Sequence, residues 1–341
     1  MHEPSRGWRE IIAEGEAANL ERLAEQLREL QRKNARGKPP RRALHAKGQA
    51  PAEAELTILP DLPEHARVGI FKEPRTFRGY VRFSNGSGVR LPDTKPDVRG
   101  LALKLLDVDG PKIIPGLERA TTQDFLFIQS PATPFRDADA FVWFVLAASR
   151  PASLLPKAIR RFGPVGAVRL VRQLLQGLSR PVVSLATSTY YSALPTAFGP
   201  YAVKYTLTPR ARATEGAKPG PSPEYLTEEL CSRLKTGPVE YDLAVQFFVD
   251  EQKTPIEDAS VEWKTSDSPL LDVARLTLPS QDLAASRGRE LGERIEAMSF
   301  DPWHTTADFR PLGNMMRARS AAYRLSTIER KASPEPGTEK A

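Results

Sequence analysis

The sequence predicts an α+β fold, built as a closed antiparallel eight-stranded β-barrel with helical insertions and C-terminal helices. Eight strand candidates occur in two groups of four, and a long helical stretch separates the groups. Two further helical segments close the chain. The length of 341 residues allows one large domain or two ordinary ones, and no linker clearly cuts the chain in two.

Short extended runs bounded by turn residues mark the strand candidates. The first group comprises residues 55–59, 79–84, 98–106 and 124–128, and the second comprises residues 201–207, 241–249, 259–264 and 271–278. Glycine- and proline-containing turns follow Ser84 and Leu91 in the first group. Strands of this length and spacing are typical of a barrel with helical additions.

Helical periodicity precedes, joins and follows the strands. Apolar residues at three- and four-residue spacing predict an amphipathic helix over residues 7–33, and residues 137–178 read as helical and basic in their second half. Shorter helices are predicted near residues 226–234, 282–298 and 311–331. We therefore expect a helical arm over residues 1–40, a barrel domain over residues 41–331 and a disordered tail over residues 332–341.

The charge balance is mildly basic. Lys and Arg number 49 against 42 Asp and Glu, which gives a formal net charge of +7. The densest basic runs are residues 38–42 and 157–172, but no nucleic-acid-binding module accompanies them, so we expect no nucleic-acid partner. A surface that attracts anionic small molecules or lipid head groups fits the same charge.

Several classes of protein lose support from absent motifs. Cys231 is the single cysteine, so no internal disulfide can form. The charged N-terminus lacks the apolar core of a signal peptide, and no uncharged apolar run is long enough to span a bilayer. We expect no transmembrane segment and a cytoplasmic location. The sequence also lacks the glycine-rich nucleotide loops, the His-Glu-x-x-His zinc motif and the Gly-x-Ser-x-Gly hydrolase motif.

A tyrosine between two arginines is the most informative feature of the chain. Arg319, Tyr323 and Arg330 project within roughly 40° of one another on a helix. A phenol beside a guanidinium, with a second guanidinium along the same face, suits an ionised oxygen ligand and a separate anion. This pattern favours a heme held by a tyrosinate.

Two further segments carry residues of chemical interest. Arg82 and Ser84 point to one face of a predicted strand, and a buried arginine requires an anionic partner. His45 lies in a compact mixture of cations just before the first strand. Taken alone, His45 fits a loop histidine and Arg82 a surface arginine. His304, in an aromatic turn, is expected to be structural.

Four motifs in this order and spacing resemble those of heme catalases. They are Arg42-x-x-His45, Val81-Arg-Phe-Ser84, Asp97-x-Arg-Gly-x-Ala-x-Lys104 and Arg319-x-x-x-Tyr323. The chain is similar to the small catalase-related branch, which keeps the heme barrel and lacks the larger accessory regions. The strong matches cover roughly residues 42–138 and 300–330, and the middle of the chain matches in strand pattern only. The resemblance implies a barrel of catalase type.

The resemblance also implies a cofactor and the residues that bind it. The cofactor would be heme b, iron protoporphyrin IX, with Tyr323 as the iron ligand and Arg319 hydrogen-bonding its phenolate. Three arginines occupy the places of those that pair with the heme propionates: Arg42, Arg82 and Arg330.

On the opposite face of the heme the resemblance implies the catalytic group. His45 would be the distal histidine and Ser84 the hydroxyl that orients it. His45 would move a proton between the two oxygens of hydrogen peroxide or an organic hydroperoxide, so that water leaves and a ferryl heme forms. A second peroxide completes a catalase cycle, and an organic electron donor completes a peroxidase cycle.

Two positions on the distal side need separate comment: Gln129 departs from the catalase motif, and Phe135 has two possible roles. Long catalases carry a distal asparagine where this chain has Gln129. Gln129 either supplies an amide displaced by more than about 1 Å, through its extra methylene, or faces away. Efficient disproportionation of hydrogen peroxide is then in doubt. Phe135 fits both the apolar residue stacked on the distal heme face and an ordinary core residue.

The sequence therefore predicts a heme-dependent oxidoreductase of catalase or peroxidase type that acts on small-molecule hydroperoxides. One alternative is a heme enzyme that rearranges or cleaves fatty-acid hydroperoxides, like an allene oxide synthase. Others are a heme-free barrel that binds an apolar ligand and a heme carrier or sensor without turnover. The tendency of the family implies a homo-oligomer.

Overall fold

A computed structural model describes residues 3–37, 39–149, 154–178, 182–212 and 218–336. Nine strands of this part form one antiparallel sheet. They are β1 (Lys47–Ile58), β2 (Thr76–Asn85), β3 (Arg99–Leu105), β4 (Gln123–Ile128), β5 (Tyr190–Tyr191), β6 (Thr196–Phe198), β7 (Tyr201–Pro209), β8 (Val239–Phe247) and β9 (Leu270–Leu278).

Eight of the strands close into a barrel. The strand order is β5-β4-β3-β2-β1-β9-β8-β7-β6, and an additional pairing of β5 with β7 joins the two ends. The short strand β6 pairs with β7 outside this ring. Closure removes the free edges that an open sheet would expose. The predicted closed antiparallel eight-stranded barrel is confirmed.

The eighth strand is not the one that the sequence predicts. Residues 259–264 form a turn followed by irregular backbone, with the Val261 amide donating to the carbonyl of Asp258. Their apolar and polar residues alternate, and Ala259 and Trp263 are buried as alternation requires, but this segment pairs with no strand. It meets the barrel through side chains, since Lys204 of β7 donates to the Val261 carbonyl and Gln246 of β8 donates to the Trp263 carbonyl. The ring is completed instead by Tyr190–Tyr191, a strand too short to produce a periodic signal.

Six helices surround the barrel in the described part of the chain. They are α1 (Glu16–Ala35), α2 (Ala138–Ala148), α3 (Leu154–Leu178), α4 (Tyr225–Thr236), α5 (Ser286–Ala297) and α6 (Asn314–Glu329). The helix α3 is kinked at Gly163, which has non-helical dihedral angles and precedes a proline. No helix among these is both long and apolar enough to cross a bilayer.

The predicted N-terminal helix starts later than expected. Residues 3–13 have no regular structure, and Gly15 takes a left-handed conformation (φ 72°) immediately before α1. Ile11 and Ile12 were expected on a buried helix face but are exposed. Trp8 instead donates its indole N–H to the carbonyl of Pro200, 2.9 Å away. The leading segment therefore lies along the barrel in irregular form.

The C-terminal segment differs from the predicted tail over residues 332–336. The Glu335 carboxylate is buried and lies 2.7 Å from the ammonium group of Lys104, which is also 2.7 Å from Asp124. Glu335 also accepts hydrogen bonds from Thr122 (3.1 Å) and Ser299 (2.5 Å). Residues 337–341 lie outside the described residues. The division into arm, barrel and tail stays a prediction.

The barrel interior is a single apolar core, and its strands present their polar side chains outward to the helices. On β2, Val81 and Phe83 are fully buried in this core, whereas Arg82 and Ser84 point the other way. Two helices lie on that outer side: α5 contacts β1 and β2, and α6 packs against α1. The first strands of the chain and its last helices therefore meet on the outer side of the barrel.

Candidate active site

His45 lies at the entrance to β1, in a conformation that few residues adopt. Its φ is 55°, in the left-handed region, and its amide donates to the carbonyl of Gly86, 3.0 Å away. Its ring Nδ1 lies 2.9 Å from the Ser84 hydroxyl oxygen. Because Ser84 belongs to the rigid strand β2, this hydrogen bond fixes the orientation of the imidazole. Backbone strain at such a residue is common at functional sites.

Gly100 on β3 provides the surface against which the imidazole rests. It pairs with Ser84 across the sheet. A Cβ atom at this position would lie 2.7 Å from His45 Cε1 and 2.9 Å from His45 Nδ1. Such contacts are far shorter than van der Waals distance. The position therefore requires glycine if His45 is to keep its place beside Ser84.

The surroundings of His45 keep its imidazole unprotonated. Burial, reinforced by the positive charges of Arg82, Arg319 and Arg42, lowers the pKa of His45 from 6.5 to about 3. A neutral imidazole at physiological pH can accept a proton. The same electrostatic influence shows that residues from β2, the segment before β1 and α6 share one environment.

A carboxylate lies between Arg42, in the segment before β1, and Arg82 of β2. Glu296, in the last turn of α5, accepts from Arg82 Nε (2.7 Å) and Arg42 Nη1 (2.8 Å). Arg82 also donates to the main-chain carbonyl of His45 (3.0 Å), so it links this ion pair to the histidine. The nearby guanidiniums lower the pKa of Glu296 despite its burial.

Arg330 reaches the same helix end from α6. It caps α6 and donates to the carbonyls of Met298 (2.7 Å) and Ala297 (3.2 Å). Arg42 donates to that Met298 carbonyl as well, also at 2.7 Å. Burial and the charge of Arg82 lower the pKa of Arg330 to about 10. Three guanidiniums thus converge on the C-terminal end of α5, where the helix dipole is negative.

Arg319 and Tyr323 form a pair on one face of α6. The Arg319 Nη2 donates to the Tyr323 phenolic oxygen at 2.6 Å, and the guanidinium carbon lies 4.9 Å from the centre of the tyrosine ring. A cation at this distance stabilises negative charge on the phenolic oxygen. The predicted neighbourhood of these two residues is therefore present, at the helical spacing that the sequence indicates.

The remaining predicted site residues lie nearby, without a contact that fixes their role. Gln129 follows β4, and its main-chain N–H donates to the Arg99 carbonyl (3.0 Å), one residue before Gly100. Phe135 is buried in a second apolar cluster, with its ring 4.9 Å from that of Phe144. Their assignments as a distal amide and a heme-stacking ring stay predictions.

The donor groups fit a heme. Its two carboxylates require cations, and two of the three clustered guanidiniums, those of Arg42 and Arg82, already bind the carboxylate of Glu296. An iron ligand requires a stabilised oxygen anion, and Tyr323 receives a charged donor. The residues that would hold the group are therefore Tyr323 for the iron and Arg42, Arg82 and Arg330 for the carboxylates.

Sequence reasoning missed Glu296 and Gly100. Glu296 is one of several glutamates at regular spacing on a helix with a charged face, so nothing in the sequence distinguishes it. Gly100 belongs to the motif Asp97-x-Arg-Gly, but only the contact with the His45 ring shows why a glycine is needed there. The roles of both residues can be recognised only in the folded chain, where separate segments of sequence come into contact.

The fold is that of the catalases. A bacterial catalase superposes with a TM-score of 0.65 at 21% identity, over 89% of this chain and 59% of that one. Catalase A from Saccharomyces cerevisiae superposes with a TM-score of 0.66 at 18% identity, over 87% of this chain and 62% of that one. The chain thus spans about three fifths of the length of these catalases.

Sequence similarity points to a shorter relative. A catalase-related peroxidase from Mycolicibacterium paratuberculosis is 27% identical over 306 residues, which cover 84% of this chain and 87% of that protein. No protein-family model matches the chain. The chain is catalase-like in both sequence and fold, as the motifs predict.

Proposed function

We propose that the chain is a heme b-dependent oxidoreductase that processes hydroperoxides, of catalase or peroxidase type. The observation that carries the proposal is the meeting of three groups from distant segments. His45 with Ser84, the Arg319–Tyr323 pair and the three-arginine cluster influence one another electrostatically. The similarity to a catalase-related peroxidase over most of both chains supports the same conclusion.

Heme iron supplies a site at which a hydroperoxide binds and its oxygen–oxygen bond can be broken. Tyr323 would hold the iron through its phenolic oxygen, and Arg319 stabilises the charge on that oxygen at 2.6 Å. The three guanidiniums would neutralise the two heme carboxylates. This charge balance explains why the fold buries Arg82, which is only 2% exposed.

His45 acts as the proton carrier. Its neutral imidazole accepts the proton of the hydroperoxide and returns it to the oxygen that departs as water or alcohol. The hydrogen bond to Ser84 and the close approach of Gly100 hold the ring in one orientation throughout. The pKa of about 3 ensures that the accepting form is present over the physiological range.

A second candidate reaction is the rearrangement or cleavage of fatty-acid hydroperoxides by the same site. Gln129 favours it, because a displaced or absent amide weakens the handling of the small, polar hydrogen peroxide molecule. Steady-state turnover of hydrogen peroxide, an alkyl hydroperoxide and a fatty-acid hydroperoxide separates the two. Oxygen release from hydrogen peroxide supports the catalase reaction, and consumption of a fatty-acid hydroperoxide without an electron donor supports rearrangement.

The test of the cofactor uses Tyr323→Phe. Purified protein is titrated with hemin, and we expect the unsubstituted chain to give a ferric spectrum with a tyrosinate ligand, which the variant lacks. Tyr80→Phe is the matched control, because Tyr80 also accepts from an arginine, Arg294, at 2.8 Å. A variant spectrum identical to that of the unsubstituted chain would contradict the ligand assignment.

The test of the proton carrier uses His45→Ala. We expect hemin affinity to be retained and the first reaction with peroxide to slow by roughly 100-fold to 10,000-fold, which is the range for general acid–base groups. Stopped-flow absorbance measures both quantities on the same preparation. An unchanged rate would remove His45 from the proposed chemistry.

A further inference from the structure

The kinked helix α3 exposes an unusual combination of side chains. Residues 154–178 contain five Lys and Arg residues and no Asp or Glu. In the described part of the chain, eleven large apolar side chains are exposed, and six of them lie on this helix. The six are Leu155, Ile159, Phe162, Val165, Val168 and Val171. Scattered apolar side chains are normal on a surface, but this concentration marks an interaction site.

The exposed groups lie beside a well-anchored inner face. Ala158, Ala167 and Leu170 are buried against the second apolar cluster, so α3 is attached to the body. Val165 and Val168 are 72% and 68% exposed. The helix therefore has one face that packs on the protein and a second apolar face that does not.

We propose that α3 docks on an anionic lipid bilayer, lying in the plane of the interface. An interfacial helix inserts apolar side chains among the acyl chains while its Lys and Arg residues meet anionic head groups. The exposed Arg160, Arg161 and Arg172, without a compensating acidic residue on the helix, match the anionic head groups in charge. A second copy of the chain fits poorly, because two α3 helices face to face would bring the exposed arginines of both copies together.

The position of α3 also connects the lipid surface to the candidate active site, and this step rests on the proposed function. The Phe162 ring of α3 lies 5.1 Å from Trp143 of α2. The next residue of α2, Phe144, lies 4.9 Å from Phe135 on the predicted distal side. The bilayer would thus lie on the side of the molecule that carries Phe135, the predicted distal residue. This placement favours membrane-derived lipid hydroperoxides as substrates.

The experiment is co-sedimentation of the full chain with vesicles. One set consists of equal parts of phosphatidylcholine and phosphatidylglycerol, and the other of phosphatidylcholine alone. Two double variants test the two halves of the surface: Val165→Ser with Val168→Ser, and Arg160→Gln with Arg172→Gln. Their matched controls remove exposed groups elsewhere: Ile11→Ser with Ile12→Ser, and Arg9→Gln with Arg287→Gln.

We expect binding to the anionic vesicles only, weakened by added salt. The arginine variant should lower the affinity roughly 30-fold, at about one fivefold step for each cation near an anionic surface. The valine variant should lower it roughly tenfold to a hundredfold through loss of apolar burial. Both control pairs should bind as the unsubstituted chain does.

Three outcomes would overturn the proposal: equal binding to both kinds of vesicle, no binding to either, or equal losses in the control pairs. A change in oligomeric state of the vesicle-free valine variant, without vesicle binding by the parent, would assign the face to a second copy. The Tyr323→Phe variant separates this inference from the proposed function. Its vesicle binding should be unchanged even where its heme spectrum is altered.

Discussion

Gly100→Ala tests the contact on which the orientation of His45 depends. The added methyl carbon would lie 2.7 Å from His45 Cε1 and 3.2 Å from the Ser84 hydroxyl. Because ordinary contact begins near 3.5 Å, the imidazole must shift by about 1 Å. A displacement of that size in a catalytic group can reduce a rate roughly 100-fold. We therefore expect a hundredfold slower reaction with peroxide and nearly unchanged hemin affinity.

The assay is stopped-flow absorbance of the heme-loaded variant mixed with peroxide. Gly292→Ala is the matched control, since a Cβ at that α5 position meets no atom within 4 Å. A double-mutant cycle with His45→Ala sharpens the result, because adding Gly100→Ala to that variant should cost no further rate. A Gly100→Ala variant as fast as its parent, or additive losses in the cycle, would refute the reasoning.

Three other predictions concern charge. Glu296→Gln should lower the free energy of unfolding of the heme-free chain by roughly 1–2 kcal/mol, as urea unfolding would show. The loss should be smaller in the heme-loaded chain, because the heme carboxylates replace the lost charge. Exposed Glu293→Gln is the control, and equal losses in the heme-free and heme-loaded chains would contradict the prediction. Glu335→Gln should cost roughly 1–3 kcal/mol by leaving its buried lysine partner with one carboxylate, as thermal unfolding at fixed pH would show. Burial lowers the pKa of His304 to about 4 and that of His45 to about 3, so these two side chains bind more protons in the unfolded chain than in the folded chain below pH 6.5. The contribution of each histidine to the free energy of unfolding should therefore fall between pH 6.5 and pH 4 by up to about 1.4 kcal/mol per pH unit, and unfolding of His304→Gln at a series of pH values should show a correspondingly smaller loss than the unsubstituted chain.

Long, periodic elements were predictable from the sequence, and short or irregular ones were not. Strands such as β2 and β9 show clear runs of apolar and β-branched residues, so their existence follows from pattern alone. The two-residue strand β5 has no such pattern. Residues 259–264 have the pattern of a strand, but tertiary contacts hold them in a turn and irregular backbone.

Some residues of the candidate site were likewise predictable from the sequence, and others were not. Arg319 and Tyr323 are four residues apart on one helix, so local spacing predicts their contact. Glu296 reaches Arg42 and Arg82 across more than 200 positions of sequence, and only the folded chain reveals that pairing. The packing of Glu335 beside Lys104 could not be predicted for another reason. The sequence around Glu335 is rich in proline and has the composition of a disordered segment.

The short strand β5, which closes the barrel, is where local opening of the sheet should begin. The strand β5 is joined to β4 by a single residue pair, Ile128 with Tyr191, and to β7 by two. The other joints of the ring have at least four pairs each. Amide protons along this joint should exchange with deuterated solvent ahead of those in the long ladders. Because Ile128 of this joint directly precedes Gln129, local opening there would first reach the predicted distal side of the site.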